Sequence, residues 1–224
     1  MPSLLEIRDL RKSYQMGRET VHALAGVDLD IVAGRFYAVM GPSGSGKSSL
    51  LYLVGGLDRP TGGRIVWDGR GIEAMDENAL ALYRRRTIGF IFQSFNLIPS
   101  LTALDNVAYP LRFDGVPRRE RQARAYELLT QVGLGDRVLH RPTELSGGQQ
   151  QRVAVARALI NNPPIILADE PTGNLDTASG NSIMELLAQL HASGRTILVV
   201  THDPRMEQFA TQTVRLLDGK IVGT

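Results

Sequence analysis

Apolar residues along this chain follow two rhythms. Ile165–Ala168 and Ile197–Val200 are unbroken apolar runs, which predict strands buried on both faces of a parallel sheet. Phe36–Met40 and Ile88–Phe92 predict two further strands. Residues 4–35 alternate instead, with Leu5, Ile7 and Asp9 in one run and Val27, Leu29 and Ile31 in the next. They predict an antiparallel pair turned at Gly17 and Gly34, with Ile65–Trp67 as a short closing strand. Thr213–Leu217 and Lys220–Val222 predict a hairpin over Asp218-Gly219. Helical spacing marks Ser48–Val54, residues 73–86, and residues 118–132 with Ala123, Tyr126, Leu129 and Val132 along one side. It also marks Gln150–Ile160, stopped by Pro163 and Pro164, and Thr177–Ala192, with Ile183, Leu186, Leu187 and Leu190 on one face.

Strand and helix alternate except between Ser94 and about residue 161, where an apolar loop and helical stretches break the pattern. The expected architecture is one α/β domain of 224 residues. Residues 1–93 and 162–224 form a mostly parallel core with an antiparallel β subdomain, and residues 94–161 form a helical insertion lobe.

Composition narrows this little. Hydrophobic residues at 43% and charged residues at 21% are ordinary for a globular chain. No apolar run reaches the roughly 18 residues of a membrane span, and Met1–Glu6 lacks the basic and apolar segments of a secretory signal. The absence of cysteine excludes disulfides and thiolate metal sites. A net charge of +2 gives no reason to expect nucleic acid, and the one dense basic run, Arg84-Arg85-Arg86, reads as a solvated helix face.

Gly41-Pro42-Ser43-Gly44-Ser45-Gly46-Lys47-Ser48 has the form G-x-x-x-x-G-K-S between a predicted strand and a predicted helix. Glycines let consecutive N–H groups turn toward one anion, and the helix start adds its own unsatisfied N–H groups. Lys47 is expected on the β- and γ-phosphates of a nucleotide and the Ser48 hydroxyl on Mg²⁺. Ser146-Gly147-Gly148 opens a second helix and is either another anion site or an ordinary cap. Asp169-Glu170 ends one buried strand and His202 follows another, on the edge where open α/β sheets bind ligands. Asp169 suits the metal, and Glu170 suits the base that orients or deprotonates an attacking water. Gln93 ends the neighbouring strand and can ligate Mg²⁺ or sense the γ-phosphate, while His202 can bind that phosphate and hold Glu170 in line. Tyr14 could stack on a base or be a half-buried core tyrosine.

With Leu145-Ser146-Gly147-Gly148-Gln149 added, residues 4–222 resemble the nucleotide-binding domain of ATP-binding-cassette (ABC) proteins. That pentad matches the family signature, Tyr14 its adenine-stacking aromatic and Gln93 its glutamine loop. Ile166–Asp169 with Glu170 match its second nucleotide motif and catalytic glutamate, Asn174-Leu175-Asp176 its aspartate loop, and His202 its switch histidine. The resemblance implies an ATPase with ATP and Mg²⁺ as cofactors. It also implies a head-to-tail homodimer in the ATP state. By the same resemblance, Tyr14, Gly41, Ser43–Ser49 and Asp176 are expected to hold nucleotide, and Ser146–Gln149 to serve the partner's. Gly55–Asp58, Asp169–Asp176 and Thr201–Asp203 are similar to ATPase subunits of lipoprotein-release and macrolide-export transporters. The implied role is a peripheral motor on the cytoplasmic face of the cell membrane that drives a separate permease; related cell-division ATPases, which signal without transport, share these strings. Part of the set Phe95, Leu97, Ile98 and Leu101 is expected to be exposed and to receive a helix of that permease, unless the loop tucks into its own lobe.

Overall fold

The computed structural model describes residues 3–223. Strands β1 (Ser3–Met16) and β2 (Glu19–Val32) pair antiparallel, and β4 (Gly62–Trp67) and β5 (Arg70–Gly71) extend that sheet in the order β2-β1-β4-β5. The second sheet has six strands in the order β10-β9-β3-β8-β7-β6. Its members are β3 (Phe36–Met40), β6 (Ile88–Ile91), β7 (Ile165–Asp169), β8 (Thr196–Thr201), β9 (Gln212–Leu217) and β10 (Lys220–Gly223). All its pairs are parallel except β9 with β10.

The unbroken apolar runs are explained by two-sided burial. Phe36, Ala38 and Met40 of β3 pack beneath α5 (Gly147–Leu159) and α6 (Thr177–Ala192), with Val155, Ile183, Met184 and Leu187. Tyr37 and Val39, one step out of phase, pack on the other face with α1 (Lys47–Val54) and the inner side of the antiparallel sheet. A third cluster belongs to the helical region: α3 (Ala103–Ala108), α4 (Arg118–Gln131) and α5 bury Val107, Ala125, Leu129, Val153 and Ala156 among themselves. No helix among the described residues is long and apolar enough to cross a membrane.

Three local expectations change. The alternation in β1 does not carry through Asp9: that residue has φ 46°, the register with β2 shifts between Ile7 and Leu10, and Asp9 is exposed. This bulge inverts the parity, so Leu10 and then Lys12 face inward. In α4, Ala123 and Tyr126 face solvent, and the buried stripe is Ala125, Leu128, Leu129 and Val132. Steps of three drift about 60° around a helix, so a face needs steps of three and four together. The stretch 73–86 divides into a 3-10 turn at Ile72–Ala74 and α2 (Glu77–Thr87), because the Asp76 side chain accepts the Ala79 N–H at 2.7 Å and starts a new helix. The helix running through Gln150 does open at Ser146-Gly147-Gly148, as read from the sequence: it starts at Gly147, and Ser146 and Gln149 bond reciprocally across its first turn.

Candidate functional site

The carboxyl ends of β3, β7 and β8 lie side by side and place the candidate residues. After β3 the chain turns through Gly44 (φ 82°) and Gly46 (φ 101°) into α1. Gly46 has a second requirement: a Cβ there would lie 2.2 Å from the Ala23 carbonyl oxygen. Lys47 is 7% exposed, and its ammonium donates to the Gly41 and Pro42 carbonyls at 2.8 and 3.0 Å, inside the loop's own curl. Ser43 and Gly44 stand exposed at the loop's tip, and Ser45 is buried within it with no partner for its hydroxyl among the described residues.

Within the first turns of α1, two hydroxyls hold one carboxylate. Ser48 Oγ donates to Asp169 Oδ1 at 3.0 Å, and Tyr52 Oη donates to Asp169 Oδ2 at 2.7 Å. Residues 48 and 52 share a face of α1 because they are four apart. Burial, then the bond to Asp169, pushes the Tyr52 phenol up to about 12, so it remains a donor. Tyr52 went unnoticed in the sequence, although its spacing from Ser48 was visible there.

Glu170 continues from β7 with φ 43°, in the left-handed region, and its N–H still pairs with the Val200 carbonyl. That backbone aims its side chain across to the end of β8. Oε1 lies 2.9 Å from His202 Nδ1; Oε2 accepts from Thr201 Oγ at 2.9 Å and from the His202 N–H at 3.3 Å. The carboxylate is mostly covered while the imidazole is 66% exposed, so the pair presents His202 outward. Thr201, fully buried, is the other contributor that sequence reasoning missed; it is the last residue of β8 and hence the first hydroxyl at that edge.

The remaining candidates lie around this centre. Gln93 follows β6 after Phe92, but its amide is paired with Asn174: Nε2 donates to Asn174 Oδ1 at 3.2 Å, and Asn174 Nδ2 donates to the Gln93 carbonyl at 3.1 Å. The structure therefore joins Ser48 to Asp169 and holds Gln93 on a different partner, Asn174. The start of α5 packs on the segment after Asn174: a Cβ on Gly147 would touch Leu175, and one on Gly148 would lie 2.8 Å from Ser179 Oγ. Ser146 caps α5, so its ordinary structural role is real. Asp176 caps α6 by accepting from Ser179 N and Oγ at 2.9 and 2.7 Å, and those bonds hold its carboxyl below the usual range. Tyr14 is partly exposed, with its hydroxyl 3.0 Å from Asp58 Oδ2 and 3.4 Å from Ser49 Oγ beside the loop.

Comparison with known proteins places this geometry. The family profile described as ABC transporter matches residues 24–173. An ABC transporter ATP-binding protein of Thermotoga maritima is 53% identical over 223 residues, covering 100% of this chain and 95% of the relative. A macrolide export ATP-binding/permease protein, MacB, of Hyphomonas neptunium is 50% identical over 221 residues; the match spans 99% of this chain and 34% of that protein. Among solved structures, the ATP-binding cassette MJ0796, as a dimer in a post-hydrolysis state bound to ADP and Pi, superposes with a TM-score of 0.90 at 47% identity, covering 97% of this chain and 96% of the other. A glycine loop around Lys47, a buried Asp169 facing Ser48, and Glu170 beside His202 thus stand in a chain that belongs to the ABC transporter ATP-binding family and is an ATPase.

Proposed function

We propose that this chain is the motor subunit of an exporting or extracting transporter for lipoprotein, peptide or drug. It works as a head-to-tail homodimer on the cytoplasmic face of the membrane and drives a separate permease. The observation that carries the catalytic half is the Glu170–His202 contact at 2.9 Å on the same strand edge as Lys47. Lys47 exchanges its loop carbonyls for the more strongly charged β- and γ-phosphate oxygens. Glu170 takes a proton from a water as that oxygen bonds to the γ-phosphorus and the bond to the β-phosphate oxygen breaks, giving ADP and phosphate. His202 holds Glu170 in line and donates to the γ-phosphate. The Ser146–Gln149 turn points its helix start at the nucleotide of a second copy, and the dimeric MJ0796 cassette supports that arrangement.

The donor set fits Mg²⁺. Ser48 and Asp169 are hard oxygen ligands already converging, and among the described residues no three His, Asp or Glu side chains form a metal cage. An ion here is shared with nucleotide phosphates, as is usual for Mg²⁺, which supplies charge neutralisation when bound. Ser48, Asp169 and, once released from Asn174, Gln93 would hold it. Tyr52 then acts as the clamp on the far Asp169 oxygen. Tyr52→Phe removes one hydrogen bond from Asp169 and is expected to weaken Mn²⁺-dependent nucleotide binding about three- to tenfold, read by electron paramagnetic resonance of Mn²⁺, while metal-free nucleotide binding stays unchanged. Equal weakening with and without metal ends that assignment.

The transport half has its own observation. A groove of about 770 Å³ between the core and the helical region has Leu82, Phe90, Phe92, Tyr109 and Phe113 in its lining, alongside Arg84, Arg85 and Arg157. Phe113 is 63% exposed, so this apolar surface has room for an apolar helix of the permease. The groove displaces the earlier expectation for the loop after Gln93: its apolar residues are half-buried, and Leu97 packs on the helical region's own core. Phe95 and Asn96 have φ 60° and 50°, and their carbonyls accept from the Arg157 guanidinium, which fixes the loop inward. Phe113→Asp is expected to abolish co-purification with a permease from solubilised membranes while circular dichroism stays unchanged. Retained co-purification would remove the groove from the interface, and recovery of a cell-division membrane protein instead would replace transport with signalling.

A further inference from the structure

Lys12 is an unusual residue to find at 8% exposure. The bulge at Asp9 turns it inward, onto the same side of β1 as Leu10 and Tyr14. Its ammonium donates to Asp58 Oδ1 at 2.6 Å and to the Arg59 carbonyl at 2.7 Å. It also lies 4.8 Å from the centre of the Tyr14 ring. Asp58 uses its other oxygen, Oδ2, to accept from the Tyr14 hydroxyl at 3.0 Å. Burial alone would push the Asp58 carboxyl up, but bonds from Lys12, the Arg59 N–H and Tyr14 outweigh it and hold the group ionised. The Tyr14 ring is therefore gripped twice, by an ion on one face and by a carboxylate at its hydroxyl edge. It still keeps about a third of its surface open, at 36%. The same hydroxyl is 3.4 Å from Ser49, so the ring borders the phosphate loop.

We propose that Lys12 and Asp58 are positioning residues for the nucleotide base: they lock Tyr14 so that one ring face is blocked by the ammonium and the other is offered as a fixed stacking platform. The proposal rests on the reading that Tyr14 stacks on the base. An untethered tyrosine of this exposure would lose rotamer freedom on stacking, and the tether removes that cost in advance. The ammonium adds a cation–π contact to the covered face, which keeps a second aromatic or the base itself off that side. Neither residue reaches the phosphates; the network ends at the ring and at Ser49.

The test separates base from phosphate. Affinities for ADP and for inorganic pyrophosphate, which has no base, are measured by calorimetry on the purified chain and on Lys12→Met, Asp58→Asn, Tyr14→Phe and Tyr14→Ala. Lys12→Met and Asp58→Asn are expected to weaken ADP about three- to tenfold and to leave pyrophosphate unchanged. Tyr14→Phe, which keeps the ring but frees its edge, should fall between wild type and Tyr14→Ala. If Tyr14→Ala weakens ADP alone but Lys12→Met and Asp58→Asn do not, the positioning role is overturned while the stacking role survives. If Tyr14→Ala changes neither ligand, the stacking role falls and this proposal with it. Equal weakening of ADP and pyrophosphate in the Lys12 and Asp58 variants would show damage to the loop and overturn the proposal. Should Lys12→Met fail to fold, Asp58→Asn decides, because it keeps the shape of the side chain and loses only its charge.

Discussion

Glu170→Gln is expected to lower ATP hydrolysis by roughly 10²–10⁴-fold, because an amide cannot accept the proton of the attacking water. The structure gives a reason to expect an intact fold. Glutamine can place its carbonyl where Oε2 now accepts from Thr201 and the His202 N–H, and its NH₂ toward His202 Nδ1. Binding should persist, since Lys47, Ser48 and the loop N–H groups are untouched. In the proposed dimer the uncleaved nucleotide bridges two copies, so the variant should elute as a dimer with ATP and as a monomer with ADP. Loss of one carboxylate near the phosphates reduces repulsion and favours the same outcome. Size-exclusion chromatography decides it. A monomer under saturating ATP would refute the shared site, and wild-type turnover would pass the role of Glu170 to another group, with His202 next.

Lys47→Ala is expected to fail at an earlier step. The Lys47 ammonium is nearly buried and is the cation within the loop, so in the proposed site its loss removes the charge opposite the β- and γ-phosphates. It also leaves the Gly41 and Pro42 carbonyls without their donor. Turnover should fall roughly 10²–10³-fold, and affinity for ATP should fall with it, whereas Glu170→Gln keeps its affinity. Equilibrium binding beside steady-state hydrolysis separates the two variants. Wild-type turnover in Lys47→Ala would remove the loop from the site.

The parts of this protein that were readable from sequence are those whose physics is local. β3, β7 and β8 are buried on both faces, so their apolar runs needed no knowledge of what covers them. The loop around Lys47 and the cap at Ser146 are likewise set by neighbours along the chain. What escaped was decided at a distance. The inward turn of Lys12 follows from a bulge against β2, and its partner Asp58 arrives only once the antiparallel sheet is folded onto α1. Thr201 gains meaning only because Glu170 leans across from the adjacent strand. α3 and the 3-10 turn at Tyr109–Asp114 went unread because their short apolar stretches show no full helical period. Tyr52 is the exception: its spacing was visible, but nothing along the chain marks Asp169 as the group it would meet.

The order of the parallel sheet has a consequence for how the protein is made. β3, which ends in the phosphate loop, pairs on one side with β8 and on the other with β9, both near the end of the chain. At about 5–20 residues per second, a ribosome completes Met40 roughly 10–35 s before Leu217. During that interval β1 and β2 can close as a hairpin, since they are joined by a short turn at Gly17. β3 has no edge to join, and Phe36–Met40, buried throughout in the finished protein, stays open to water and to other nascent chains. A chain cut before Thr196 would carry every glycine of the loop, yet neither strand that holds it in place.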